Sequence, residues 1–291
     1  MELSLFRVGL ERGRRTCHEK KENPVTFVLE IVMLFLSILI IAPCLMMIFG
    51  SFKTALEANH FNIKPPSEWH FENYIEVFKK GKLLRALKNS VLMVLMTVPA
   101  VEILSAVSSF VLARRKGKVA EILYTVLSMG IVVPVSIVPT IALMQALHLQ
   151  QTKGGMALLY IAMRTSWSIF LLTGFVKSVP RELDEAAFID GCNVIKLFFY
   201  IIFPLMKPVV ATSVIIATMW TWNDFHLPLY FMSSAANRTL PMTVYYFYGE
   251  NASQWNLVFA DMMIVSIPIV ILYLFCQKYI VSGMTAGAVK G

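Results

Sequence analysis

Six runs of apolar residues constrain this chain more than anything else in it: Thr26 to Phe49, Ser90 to Ala113, Ile122 to Leu147, Ala157 to Val176, Val209 to Phe231 and Leu257 to Tyr279. A hydrocarbon core about 30 Å thick takes roughly 20 apolar residues of helix, and every run reaches that length. A soluble helical protein would show polar faces at a 3.6-residue period, whereas these runs are apolar nearly all round. A β-barrel would need alternating segments of about ten residues, and the sequence has none. With 57% hydrophobic and only 15% charged residues, the chain carries too much apolar surface for a soluble domain. The expected fold is an all-α integral membrane protein with six transmembrane helices.

Charge then sets an orientation. A formal net charge of +8 would suggest nucleic acid as the partner of a soluble protein, but the basic residues here gather at the ends of apolar runs. Membrane lipid, and no nucleic acid, is the expected surrounding. A cytoplasmic amino terminus puts three basic regions on one side: Arg114-Arg115-Lys116-Gly117-Lys118, the loop holding Lys177, Arg181, Lys196 and Lys207, and the tail after Lys278. The positive-inside rule favours that choice. Lys79, Lys80, Lys82, Arg85 and Lys88 argue against it, because they precede the second run on the outer side. The basic stretch from Arg7 to Lys21 is too long and too far from a small-residue cleavage site for a signal peptide. The expected organisation is a cytoplasmic segment 1–25, a six-helix domain 26–281 with an outer loop 50–89 and a cytoplasmic loop 177–207, and a cytoplasmic tail 282–291. Within the outer loop, Trp69, Phe71, Tyr74, Val77 and Phe78 suit either an interfacial amphipathic helix or an aromatic belt. Pro134 and Pro139 should bend the third span, and Pro268 the sixth.

The cytoplasmic loop reads as a helical hairpin. Pro180 suits a first helical turn, and Glu182, Asp184 and Glu185 favour the positive end of the helix dipole. Gly191 can take φ > 0 at the reversal, and Asn193 is a good N-cap for a second helix through Ile201. Ala186 and Ala187 leave room for close docking, while Glu185 and Asp190 can pair with basic groups of a partner. A pair of amphipathic helices resting on headgroups is the alternative.

The run Glu185-Ala186-Ala187, then Gly191, then Ile201 and Pro204, resembles the EAA loop of bacterial type I ABC importer permeases. Phe203 and Cys192 stand where that family commonly has Leu and Ala. Ser51-Phe52-Lys53, Asn89-Ser90, Trp222-Asn223-Asp224-Phe225 with Pro228-Leu229, and the tail Gly283 to Gly291 are similar to the maltose-type branch, its second membrane subunit. That resemblance implies an ATPase-coupling hairpin built on Glu185, Ala186, Ala187, Asp190, Gly191 and Pro204. It also implies a homologous second permease subunit, two ABC ATPase subunits that hold ATP and Mg, an extracytoplasmic solute-binding protein and a sugar substrate. The location it implies is a bacterial inner membrane, with both termini cytoplasmic and the tail able to reach the ATPase interface.

Intramembrane polar groups are costly and normally face protein or water. Trp220, Trp222, Asn223, Asp224 and Glu102 are candidates for a sugar path, since aromatic faces stack on sugar rings and amides or carboxylates accept hydroxyl hydrogens; helix packing is their other role. Arg164 is expected near the outer end of the fourth span, snorkelling to water. No G-x-x-x-x-G-K-[ST] sequence is present, so the chain should bind no cofactor and the energy for transport should come from another subunit. The five histidines form no metal or nucleophile constellation, and the four cysteines share no ligand spacing; no catalytic residue and no metal site is expected. A stand-alone ion-coupled transporter or channel using Glu102, Asp224 and Asp261 is the competing reading, and it leaves the hairpin unexplained.

Overall fold

The computed structural model describes residues 24–250 and 254–288, and among these every regular element is helical. α1 (Pro24–Gly50) leads through the short α2 (Ala55–Ala58) to α3 (Glu72–Lys80) and the long α4 (Leu83–Arg114). Next come α5 (Lys118–Met129), α6 (Ile137–Ala146) and α7 (Lys153–Ser178). The hairpin follows as α8 (Glu182–Ile189) and α9 (Val194–Lys196), the latter continuing through a π-helical turn (Leu197–Ile202) into α10 (Phe203–Asn223). The chain closes with α11 (His226–Phe231), α12 (Leu240–Glu250) and α13 (Trp255–Ala288). The basic stretch from Arg7 to Lys21 and the end of the tail at 289–291 lie outside the described residues.

Five helices are long and apolar enough to cross a membrane: Thr26–Gly50, Leu83–Arg114, Lys153–Ser178, Val194–Asn223 and Trp255–Gln277. The third run is not the single bent span its composition suggests. It breaks after Met129 and resumes at Ile137, with Pro134 in the break and Pro139 in the first turn of α6, where a missing N–H costs nothing. Neither piece can span alone, since at 1.5 Å per residue they measure about 18 and 15 Å. Topology still requires a crossing there. Arg114, the last residue of α4, donates to the carbonyl of Val179 just past α7 at 3.0 Å, so both helices end on the same side and α5 with α6 must carry the chain back. The fifth run also breaks, because Asp224 is extended and α11 restarts two residues later.

Small residues let the central helices approach closely. Ser105 and Ser109 of α4, Ser168 and Thr173 of α7, and Ser213 of α10 are all fully buried. At one end of this bundle Phe110, Leu172, Val176, Phe198, Ile202 and Met206 form an apolar cluster with the hairpin. At the other, Val77, Leu83, Trp222, Phe247 and Leu257 form a second. α1 lies along α13 with its apolar side chains turned outward from the chain, as suits a lipid-facing element.

The loop 50–89 holds an amphipathic helix that is tied to the bundle along one face. α3 turns Asn73 and Val77 inward. Asn73 Nδ2 donates to the carbonyls of Ser51 (2.9 Å) and Lys53 (3.0 Å), and its Oδ1 accepts from Asn256 of α13 at 2.9 Å. Lys53 is itself buried, its ammonium donating to Asn62 Oδ1 at 2.8 Å. Phe52 packs among Trp69, Phe71 and Tyr74 with centroids 5.1–5.2 Å apart. Farther on, the second span starts at Leu83, seven residues before its apolar run.

Candidate functional site

The hairpin has the geometry its turn chemistry dictates. Gly191 sits at φ +79, which an L side chain tolerates poorly, and a Cβ there would meet nothing within 4 Å. Glycine is needed for the backbone, not for space. Asn193 caps the second helix by accepting from the Lys196 N–H at 2.8 Å. Pro204 lacks the N–H that an α-helical ladder requires, and the turn before it widens to π, with the Phe203 N–H reaching Phe198. The result is one continuous helical rod from Val194 to Asn223, about 45 Å long.

An ion pair fastens the hairpin to the bundle. Arg114 Nε lies 2.7 Å from Asp184 Oδ2, and its Nη2 donates to Oδ1 at 3.1 Å. Both side chains are only about one-eighth exposed, at 12% and 13%. Asp184 is thus committed within the chain, leaving Glu185 and Asp190 free at the surface. The two alanines part company. Ala186 faces outward, whereas Ala187 is buried against Leu197 and Phe198, so its small size serves the chain's own packing and not a partner's. What the outer face of the hairpin offers instead is apolar: Ile189 is 87% exposed and Ile195 67%.

At the far end of the rod a second ion pair bridges α7 and the break after α10. Arg164 Nη2 is 3.6 Å from Asp224 Oδ2, with side-chain exposures of 17% and 12%. The guanidinium also lies over the rings of Tyr160 (5.5 Å) and Trp220 (5.4 Å), and Trp220 meets Trp167 edge-on at 4.9 Å. Arg164 is therefore mid-helix and partnered, not snorkelling at a helix end. The other oxygen of Asp224 accepts from the Leu227 N–H at 3.2 Å and starts α11. Asn223 lines a cleft of about 470 Å³ with Phe225, Tyr245, Tyr248 and Trp255. Trp222 points the other way, into the apolar cluster below α3.

Two buried carboxylates complete the polar interior. Glu102 accepts from Ser213 at 2.8 Å, and Ser213 lies 3.0 Å from Ser168, which joins α4, α10 and α7. Asp261 is 0% exposed, with Thr243 Oγ1 at 2.8 and 3.1 Å from its two oxygens. Neither lines the cleft at Asn223. Among the described residues, no group of three His, Cys, Asp or Glu side chains converges on a point.

Residues 103–286 match the family described as "Binding-protein-dependent transport system inner membrane component", a stretch that takes in the hairpin, the rod, both ion pairs and most of α13. The chain belongs to this family. It is 31% identical over 93% of its length to the probable starch degradation products transport system permease protein AmyC of Thermoanaerobacterium thermosulfurigenes, covering 99% of that protein. It is 34% identical, over 93% of its length and all of the relative, to the multiple sugar-binding transport system permease protein MsmG of Streptococcus mutans. The same fold occurs in a bacterial ABC transporter involved in the import of the acidic polysaccharide alginate, at TM-score 0.75 and 17% identity, covering 90% of this chain and 98% of that one. As a multi-pass permease component the chain is not an enzyme. Sequence reasoning missed the Arg114–Asp184 and Arg164–Asp224 pairs. Their members lie 70 and 60 residues apart, and only Arg164 stands out in the sequence as a charge in apolar surroundings, since Arg114 opens a basic run and Asp184 lies among acids.

Proposed function

We propose that this permease is the membrane-spanning subunit of an ATP-driven sugar importer, forming half of the translocation pathway beside a homologous second permease. Two ABC ATPase subunits, which hold the ATP and Mg, dock on the hairpin, and an extracytoplasmic solute-binding protein delivers the sugar. The hairpin side is then cytoplasmic, with both chain termini, and the membrane is the bacterial inner membrane. The names of the relatives, which concern starch products and multiple sugars, support a carbohydrate cargo.

The observation that carries this reading is the continuous rod from Val194 to Asn223. One end is held by the glycine turn of the hairpin and the other ends at Asp224, paired with Arg164. Closure of two ATPase subunits would displace the exposed apolar tip at Ile189. A rigid helix transmits that displacement across the bilayer, and the Arg164–Asp224 contact, made at 3.6 Å without hydrogen-bond geometry, is where α7 and α10 can part. Glu185 and Asp190 supply the charges that orient the dock.

Reconstitution tests this directly. Sugar uptake into proteoliposomes should require ATP on the hairpin side and binding protein on the other. Uptake driven by an ion gradient with neither present would contradict the importer and favour an ion-coupled carrier.

A further inference from the structure

Lys79, Lys80, Lys82, Arg85 and Lys88 are the charges that the positive-inside rule leaves unexplained. All five are exposed, and they run from the end of α3 into the first turns of α4. α4 is about 48 Å long at 1.5 Å per residue, so its start lies across the membrane from the hairpin that Arg114 holds at its end. Lys82, Arg85 and Lys88 line a hollow of about 340 Å³ whose remaining walls are Phe78 and Leu84. Those two side chains are 50% and 54% exposed. The hollow therefore sets cations directly beside bare apolar surface.

The apolar part continues toward the bilayer centre. Leu84, Lys88, Val91 and Leu95 recur at steps of three or four residues, which puts them on one face of α4, and all four are exposed. Along the axis Lys88 stands about 4.5 Å above Val91 and Arg85 about 9 Å, while the polar layer on each side of a bilayer is about 5–8 Å deep. The cations are thus at headgroup height, with Val91 and Leu95 in hydrocarbon beneath them. The neighbouring acids do not neutralise these cations. Glu76 pairs with Lys80, Glu72 with His70, and Glu57 accepts from Ser67. Among the described residues, Lys79, Lys82, Arg85 and Lys88 make no ion pair. Lys82 is also held at φ +49, a left-handed backbone that glycine takes more easily.

We propose that this hollow binds an anionic phospholipid of the leaflet opposite the hairpin, its phosphate on Lys82, Arg85 and Lys88 and an acyl chain along Leu84, Val91 and Leu95. One molecule then supplies both the anion and the hydrocarbon, in the vertical order in which the chain presents their partners. An acidic protein face would cover the cations and leave Phe78 and Leu84 without an apolar partner. Arg and Lys donate charge-assisted hydrogen bonds to phosphate, and a phosphate held there offsets the basic charge that opposes the orientation of the chain. The site requires only that the chain crosses the membrane, so it is independent of cargo and energy source.

The test is native mass spectrometry of the full-length chain with whatever subunits co-purify, stripped of lipid and titrated with dioleoylphosphatidylglycerol or dioleoylphosphatidylcholine. Wild type should retain one phosphatidylglycerol on the order of tenfold more tightly than phosphatidylcholine. The pair Arg85→Gln, Lys88→Gln should retain one phosphatidylglycerol fewer, with an unchanged unfolding temperature. Lys82→Gly suits the left-handed backbone, so it should weaken retention without lowering that temperature, which separates a ligand role from a structural one. Leu84→Ser should also weaken retention, and excess inorganic phosphate should not displace the lipid. Equal retention of the two lipids by wild type would overturn the proposal, as would wild-type retention in the Gln pair. Displacement by inorganic phosphate with no effect of Leu84→Ser would make the hollow a free-anion site and overturn the lipid. Wild-type lipid retention in a Gln pair that captures a solute-binding protein more slowly would give the cations to a protein partner instead.

Discussion

An arginine buried in the middle of a membrane helix is tolerated only when its charge is answered locally. Arg164 has that answer in Asp224 and in two aromatic faces. Removing one partner strands the other, so Asp224→Ala should destabilise the complex by about 3 kcal/mol and abolish uptake. The swap Arg164→Asp with Asp224→Arg should recover part of the loss, as read by thermal unfolding and transport in a double-mutant cycle. Glu102 behaves differently, because its role is to accept from Ser213. Glu102→Gln keeps that acceptor and should leave stability within about 1 kcal/mol and uptake unchanged, whereas Glu102→Leu should cost about 1–3 kcal/mol. Loss of transport in Glu102→Gln would instead point to a proton-carrying carboxylate. Both charged positions stand out in the sequence from their apolar surroundings. Their partners do not, because pairing depends on which helix faces which, and a helix apolar all round gives no facing signal.

The hairpin and its rod are the elements that carry force. Gly191→Val should cost about 1–2 kcal/mol of local backbone strain and uncouple the ATPase while leaving membrane insertion intact, measured by co-purification from detergent. Wild-type assembly and uptake in that variant would remove the turn from the account. Arg114→Ala should loosen the hairpin from α4 and α7 and lower the ratio of transport to ATP hydrolysis several-fold. This element was legible in the sequence because its signals are local: a φ-permissive glycine, an Asn cap and acids in a first turn. The inward turn of Ala187 was not, since the side of a short helix that faces the bundle is decided by tertiary packing. The contacts of the inward face of α3 were not legible for the same reason. Asn73 sits in a polar stretch of the sequence, yet it ties α3 to Ser51, Lys53 and Asn256.

At the scale of the whole molecule, apolar length alone gave the class of fold, with five of the six runs appearing as helices long enough to cross a membrane. It could not show that the third crossing is two short helices or that the fifth run stops at Asp224, because composition does not distinguish a continuous span from a broken one. The motifs that carry the family likeness turn out to be joints: Ser51-Phe52-Lys53 anchors the outer loop, and Asn89-Ser90 receives the loop before α12, with Ser90 accepting from the Leu240 N–H at 2.8 Å. Between these joints runs the proposed line of transmission from hairpin tip to Arg164–Asp224. Its most direct test is photo-crosslinking from a benzoylphenylalanine placed at the exposed Ile189 in native membranes. The expected result is a crosslink to an ATPase subunit whose yield changes when the ATPase is trapped with ADP and vanadate. Crosslinking to lipid alone, insensitive to nucleotide, would contradict it.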